Sequence, residues 1–285
     1  MENLLLRYLL CFNIFAGRHS HITQLAAISG EDEFSSFVFP KVNITEDASR
    51  VTGISVRNGK MYHHHQEVTG TTISTAVDNL LSYFDTFQKK IVLVGHNIKS
   101  FDCHVLLNTL MSIDKVQMFS DKVDGFLDTL KLFKKTHPGL VSYKQEYLCQ
   151  FLGEMNYESH NALADVRSLQ LLVEKLDVQF EKCDLKSVCF TFEHAVKSCE
   201  YSRQMKCNLP SFQHLVQQNV ISCMIARRMA GSGLCFDHLI QTFRKHSVEG
   251  VVSLLQEQCG ASVRVTKSKK IIDRIINFLT NLSES

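Results

Sequence analysis

The chain has 285 residues, 45% of them hydrophobic, which suffices for one large domain and a smaller one. The net charge of +2 and the isoelectric point of about 8.0 exclude a strongly basic field, so any contact with nucleic acid must come from a local patch. The ten cysteines form no CxxC pair and no apolar run reaches about 18 residues, which indicates an intracellular, cytoplasmic or nuclear protein with no membrane partner.

The first apolar segment is MENLLLRYLLCFNIFAG, residues 1–17. It resembles the core of a signal peptide, but Arg7 interrupts the apolar run, and we favour a buried strand over 8–15. Two further strands are predicted at 21–29 and at 34–40, where Pro40 ends the second.

A polar loop is predicted next, and it contains three histidines at 63–65. Neighbouring side chains point in different directions, so a solvated loop is favoured over a metal site. An amphipathic helix follows at 74–88, and a fully buried strand at 91–96.

The following segments alternate between strands and helices. A helix is predicted at 100–111 with Ser100 as its N-cap, and a strand or short helix at 123–139. Two more helices are predicted at 142–153 and 161–177. Strands followed by strands mixed with helices indicate an α/β layered domain.

Beyond residue 180 the strand signals fade, and we predict a domain over 1–182 and a helical C-terminal domain over 183–285. The sharpest change in composition lies at 197–211. The predicted helices of this part are 211–229, 234–245, 248–258 and 268–282. Lys267, Lys269 and Lys270 accompany the last of them; they form either a phosphate-binding patch or a solvated helix face.

Asp165 is the first candidate functional residue. At about 100° per residue it falls in the middle of the apolar stripe of its helix, beside Leu169 and Leu172. An ionised carboxylate there is costly unless it is paired, hydrogen-bonded or bound to a metal. His160 approaches it only if the helix begins near Asn161. The alternative is an aspartate at the edge of the stripe that meets a lysine.

Asp102 repeats this pattern after the strand that ends at Gly95. It lies in the first turn of a helix and flanks the apolar residues Val105 and Leu106. The helix dipole accounts for one such acid. Two acids at helix starts, together with a histidine on a loop, point instead to a ligand site at the carboxyl ends of the strands.

The motifs HNxxxFD (96–102) and HNALADV (160–166), in this order, resemble the DEDDh class of 3′-to-5′ exonucleases, of the ribonuclease T and proofreading-subunit type. DTLKLFKK (128–135) and SYKQEYLCQFLG (142–153) are similar to the segments between those motifs. The resemblance spans about 8–180. The chain is even more similar to the exonuclease-like C-terminal region of the promyelocytic leukaemia protein and its stand-alone fish relatives. That resemblance extends, more loosely, to the helical tail.

The resemblance implies a ribonuclease H-like mixed sheet flanked by helices, with a C-terminal all-α extension. It implies phosphodiester hydrolysis at single-stranded 3′ ends of DNA or RNA, with two Mg²⁺ or Mn²⁺ ions held by four carboxylates. His160 would be the general base, Asp165 and Asp102 would be catalytic metal ligands, and Asn97 would contact nucleic acid. The helices of 183–285 would offer a surface for a protein partner.

The first motif of the family, Asp-x-Glu, is absent. Asn13 and Phe15 stand at its two acidic positions, and no acid lies between Glu2 and Glu31. Asparagine is a weak, neutral ligand and phenylalanine is none, so we expect weak or no activity. Two explanations of the missing motif stay open. Either the protein is a catalytically dead interaction module that keeps the fold, or residues 1–16 come from an alternative start or a mispredicted exon.

Overall fold

The computed structural model describes residues 9–14, 21–87, 89–153, 161–176, 187–260 and 262–284, and for 9–14 only the backbone. The chain divides into two compact units, Met1–Val196 and Lys197–Ser285. Within the described ranges, no helix is both long and apolar enough to cross a membrane.

The first unit contains ten strands and seven complete helices among its described residues. The strands are β1 (Leu9–Ile14), β2 (Ile22–Ser29), β3 (Asp32–Val38), β4 (Ile54–Arg57), β5 (Lys60–His63), β6 (Gln66–Val68), β7 (Gly70–Thr71), β8 (Ile91–Gly95), β9 (Val123–Asp128) and β10 (Cys189–Thr191). The helices are α1 (Glu46–Thr52), α2 (Ile73–Asp85), α3 (Asp102–Ser112), α4 (Val116–Lys122), α5 (Thr129–Thr136), α6 (Gln145–Phe151) and α7 (Ala162–Lys175). An eighth helix, α8 (Phe192–Asn208), crosses the division between the units.

The main sheet has the strand order β10-β9-β8-β1-β2-β3-β7. Strands β1, β2 and β3 are antiparallel, whereas β8 runs parallel to β1 and β9 runs parallel to β8. This is the mixed sheet of a ribonuclease H-like fold. The strand predicted at 8–15 is confirmed for Leu9–Ile14, which lies in the middle of the sheet.

The register brings the carboxyl ends of the central strands to one edge. Gly95 at the end of β8 pairs with Asp128 at the end of β9. Leu9 at the start of β1 pairs with Val94, so Asn13 lies beyond the last residue of β8. Asn13 pairs in turn with Gln24 on β2. The backbone of Asn13 and the loop that follows β8 therefore lie at the sheet edge at which ligands collect in open α/β sheets.

One core of the first unit lies between the sheet and helices α5, α6 and α7. It includes Val94, Leu127, Phe133, Leu148 and Leu169, each buried. Burying these side chains, at about 2 kcal/mol each, holds α7 against the strands that carry the site.

Two parts of the first unit differ from the prediction. In place of one polar loop after β3 there are α1 and a three-stranded antiparallel sheet, β4-β5-β6, although His64 and His65 do lie in a turn. Strand β10 pairs with β9 in a stretch predicted to be helical. Gly125 lets β10 approach closely, because a Cβ atom there would lie 2.4 Å from the carbonyl oxygen of Phe190.

The second unit is built mostly from helices. They are a 3₁₀ helix (Leu209–Phe212), α9 (Gln213–Gln217), α10 (Cys223–Gly231), α11 (Phe236–Gln256) and α12 (Lys269–Glu284), with a small β11–β12 hairpin (Gln258–Cys259 and Ser262–Val263) before α12. The helix predicted at 211–229 is broken by a turn at Asn219, which has a positive φ. Ser247 adopts a φ of 54° inside α11 and separates the two helices predicted there.

Candidate nucleic-acid site

The loop between β8 and α3 places Asp102. Asn97 adopts a left-handed conformation with a φ of 60°, and the amide of Cys103 donates to the carbonyl of Ile98. The prediction that Ser100 caps the helix is wrong, since Phe101 precedes α3 and no side chain caps it. Asp102 is the first residue of the helix.

The carboxyl group of Asp102 is enclosed by protein, although part of the residue reaches solvent. The pKa of Asp102 is raised to about 7. Burial is the main cause, and the negative charges of Asp128 and Asp165 contribute smaller parts of the same shift. The charge of Asp165 is thus one of the causes that act on the pKa of Asp102. An enclosed acid beside two others favours a neutral carboxyl group or a bound cation.

Asp128 is a residue that the sequence reasoning missed. It is buried, with 1% of its surface exposed, and caps α5 by accepting the amide of Leu130 at 3.1 Å. It also accepts the amides of Asn97 at 3.1 Å and Lys99 at 3.4 Å. Asp128 thus ties the loop that leads to Asp102 to the end of β9. An acid between an apolar strand and a helix was the available signal.

His96 connects the same loop to the segment before α6. Its Nε2 lies 2.7 Å from the carbonyl oxygen of Tyr143, and its Nδ1 lies 3.0 Å from the hydroxyl of Thr129. A carbonyl only accepts, so Nε2 carries the proton; Nδ1 of the neutral ring then shares the one hydrogen of the Thr129 hydroxyl with the carbonyl oxygen of Gly95, which lies 3.3 Å from that hydroxyl. Burial lowers the pKa of His96, which agrees with this neutral form. Both ring nitrogens are engaged, so His96 acts as a structural link.

The first turn of α7 places Asp165. Asn161 caps the helix by accepting the amides of Leu163 at 3.0 Å and Ala164 at 3.3 Å, which confirms that the helix begins near Asn161. Gln24 accepts the amide of Ala162 at 3.1 Å.

A second glutamine holds the same turn. Gln145 donates from Nε2 to the carbonyl oxygen of Asp165 at 2.6 Å. Both glutamines were missed, because their partners lie far away in sequence and no local pattern marks them. Since Gln24 pairs with Asn13 across the sheet, it connects the degenerate first motif to the start of α7.

The remaining predicted site residues are only partly described. His160 and Phe15 lie outside the described residues, and Asn13 is described by its backbone alone. Asn97 lies in the loop before α3. Lys267, Lys269 and Lys270 are exposed at the start of α12 in the second unit.

The described residues do not fit a two-metal centre. Within the described ranges, no group of three His, Cys, Asp or Glu residues is arranged to hold a metal ion. By the resemblance of the motifs, Asp102 and Asp165 would supply two of the carboxylates, and Asn13 and Phe15 stand in the sequence where the other two are expected. A pair of magnesium ions requires more anionic oxygen ligands than this set supplies.

Comparison with known families gives two matches. The exonuclease family, RNase_T, matches residues 12–172, and the family described as the PML C-terminal domain matches residues 208–282. Among curated proteins, the chain is 26% identical over 183 residues to a PolC-type DNA polymerase III of Clostridium perfringens, covering 61% of this chain and 11% of that protein. It is 25% identical over 158 residues to the same type of polymerase from Caldanaerobacter subterraneus, covering 55% and 10%. The chain thus spans about a tenth of the length of these relatives.

Solved structures that align with part of the chain include three nucleases. The nuclease domain of 3′hExo, a DEDDh family member bound to rAMP, has a TM-score of 0.49 at 14% identity, covering 62% of this chain and 93% of that one. A 3′-exonuclease described as recognising the 3′ end of a histone mRNA stem-loop has a TM-score of 0.47 at 12% identity, with coverages of 62% and 84%. Exonuclease X in complex with 5′ overhanging duplex DNA has a TM-score of 0.42 at 16% identity, with coverages of 64% and 96%.

The motif order, the strand order of the sheet and the family match agree over the same part of the chain. The match at 12–172 covers more than half of all residues. The chain belongs to the exonuclease family.

Proposed function

We propose that the first unit binds the 3′ ends of single-stranded nucleic acid and hydrolyses them far more slowly than a complete DEDDh exonuclease. The observation that carries this proposal is the presence of Asn13 and Phe15 at the two acidic positions of the first motif, while Asp102 and Asp165 of the later motifs are retained. The fold and the order of the remaining motifs support binding of a strand end. The missing carboxylates argue against efficient hydrolysis.

Electrostatics supports the low activity. Two carboxylates attract divalent cations less strongly than four, and a metal must displace the proton that Asp102 holds near neutral pH, since its pKa is about 7. Weak occupancy by Mg²⁺ or Mn²⁺ forfeits the stabilisation of charge that develops on a phosphate. His160, which the resemblance assigns as the base, then faces an unactivated water.

A second candidate function is a catalytically dead interaction module. The match of residues 208–282 to the PML C-terminal domain favours it, because that part of the chain lies outside the exonuclease match. In this account the helices of the second unit bind a protein partner. We place the protein in the cytoplasm or nucleus, since no disulfide joins any pair of the described cysteines.

The test measures binding and hydrolysis on the same strands. Labelled single-stranded DNA and RNA are offered with a free or a phosphorylated 3′ end, and Mg²⁺ and Mn²⁺ are titrated. We expect tighter binding to the free end, slow digestion, and loss of both on Asp165→Ala. Equal binding to free and blocked ends, or to parent and Asp165→Ala, would leave the interaction module as the better account.

A further inference from the structure

Four lysines lie on the loop after β8, on α5 and just before α6. Lys99 follows β8, Lys131 and Lys134 lie on α5, and Lys144 precedes α6. Lys134 and Lys144 are exposed, and the other two are partly exposed. We call these four residues the lysine surface.

The lysine surface is connected to the site by hydrogen bonds of the backbone. The amide of Lys99 donates to Asp128, the carboxylate whose charge acts on Asp102. Asp128 also caps α5, so Lys131 lies in the first turn beyond it. Lys144 follows Tyr143, whose carbonyl binds His96 of the same loop. The lysine surface is therefore attached to the segments that carry the candidate site.

Their charges are uncompensated within the described part of the chain. No described carboxylate lies within 4.0 Å of these four ammonium groups, whereas Lys60, Lys90, Lys115 and Lys122 each pair with an acid. Three of these lysines lie in residues 129–151, which also contain Lys135 and only one acid, Glu146. In a chain whose net charge is only +2, this is a local concentration of positive charge.

Two of the lysines are held over aromatic rings. The ammonium of Lys99 lies 5.1 Å from the centre of the Phe190 ring, and that of Lys134 lies 5.7 Å from the centre of the Tyr143 ring. Tyr143 is fixed in turn, because its hydroxyl donates to the carbonyl of His137 at 2.8 Å. Such contacts hold the charged groups in place and reduce the entropy lost when they bind a phosphate.

We propose that the lysine surface binds the phosphate backbone of a single-stranded nucleic acid leading away from its 3′ end. This inference rests on the proposed function, which supplies the strand end, and it names the surface that holds the rest of the strand. Several unpaired ammonium groups on neighbouring segments suit the successive phosphates of a strand, and lysine binds phosphate as a point charge without reading sequence.

The probe is a labelled circular single-stranded DNA, which has no 3′ end, titrated at several salt concentrations. We expect Lys131→Gln/Lys134→Gln/Lys144→Gln to weaken its binding by about tenfold or more and to reduce the salt slope by about 2, since each single-strand phosphate contact contributes about 0.7. The matched control Lys60→Gln/Lys90→Gln/Lys122→Gln removes the same charge from paired lysines and should bind as the parent does. Lys131→Arg/Lys134→Arg/Lys144→Arg keeps the three charges and should retain the salt slope of the parent.

Equal slopes for the parent, the glutamine variant and the control would overturn the lysine surface. Poly-glutamate is also compared with unlabelled single-stranded DNA as a competitor for the labelled circle. Equal displacement by the two competitors would overturn the proposal, because the surface would then suit acidic protein. The proposed function is tested separately on linear strands with free and blocked 3′ ends. A chain that prefers free ends but ignores the circle retains the proposed function and loses the lysine surface; the opposite result retains the surface alone.

Discussion

Replacing Asp102 by asparagine is expected to stabilise the first unit, and to do so more at high pH than at low pH. The pKa of Asp102 is about 7 in the folded protein against 3.8 ordinarily. The folded state therefore holds a proton that the unfolded chain releases between pH 4 and pH 7. The free energy of unfolding falls as pH rises through this interval. Above the interval, Asp102 adds no further pH dependence. Asparagine does not titrate, so the variant escapes this loss.

The size of the effect follows from the difference between the two pKa values. A difference of about 3 corresponds to about 4 kcal/mol of unfolding free energy at about 1.36 kcal/mol per pKa unit. This is an upper value, because water entry and relaxation of the site reduce it. Asp165 contributes part of the shift through its negative charge. In an Asp165→Asn background, the gain from Asp102→Asn should therefore be smaller.

The assay is urea denaturation at pH 4.5 and pH 8, followed by far-ultraviolet circular dichroism because the chain contains no tryptophan. Hydrogen exchange of amides in α3 and β8 restricts the result to the first unit. Asp121→Asn, an exposed aspartate on α4, serves as the control. A gain from Asp102→Asn that is the same at both pH values, or a loss that grows with pH, would refute the reasoning.

Three further substitutions test what positions the site. Asp128→Ala removes the acceptor of three amides and should cost about 3 kcal/mol in urea denaturation, more than Asp128→Asn, which keeps one acceptor oxygen. Gln24→Met leaves the buried amide of Ala162 without its acceptor and should cost about 1–3 kcal/mol; an unchanged unfolding midpoint would show that the bond is dispensable. Gly125→Ala places a methyl group against the backbone of Phe190, so amides of β10 should exchange faster, and equal exchange would contradict the close packing of these strands.

Periodicity and motif order predicted the elements that carry the acids. The apolar runs of β1, β2 and β8 and the amphipathic pattern of α2 are local properties of the sequence. The start of α7 was predictable too, because Asn161 is a good N-cap and precedes the apolar stripe. These local features, together with the two motifs, were enough to identify the family.

Long-range contacts explain what the sequence did not predict. Ser100 is a good capping residue in isolation, but the loop around it is organised by Asp128, which lies 31 residues from Asn97. Gln24 reaches across 138 residues to Ala162. Strand β10 has three residues, too few for a periodic pattern, and it forms because Gly125 on β9 admits it. The pKa of Asp102 depends first on burial and then on two acids from other segments, and no local pattern reveals either cause.

The most direct test of the central claim is the rate of Mg²⁺-dependent digestion of labelled single strands by the parent chain and by Asn13→Asp/Phe15→Glu. The missing first motif is held responsible for the low activity, so the double variant should digest 3′ ends much faster than the parent, and Asp165→Ala should abolish the gain. Robust digestion by the parent chain, abolished by Asp165→Ala and unchanged by restoring the two acids, would contradict the account.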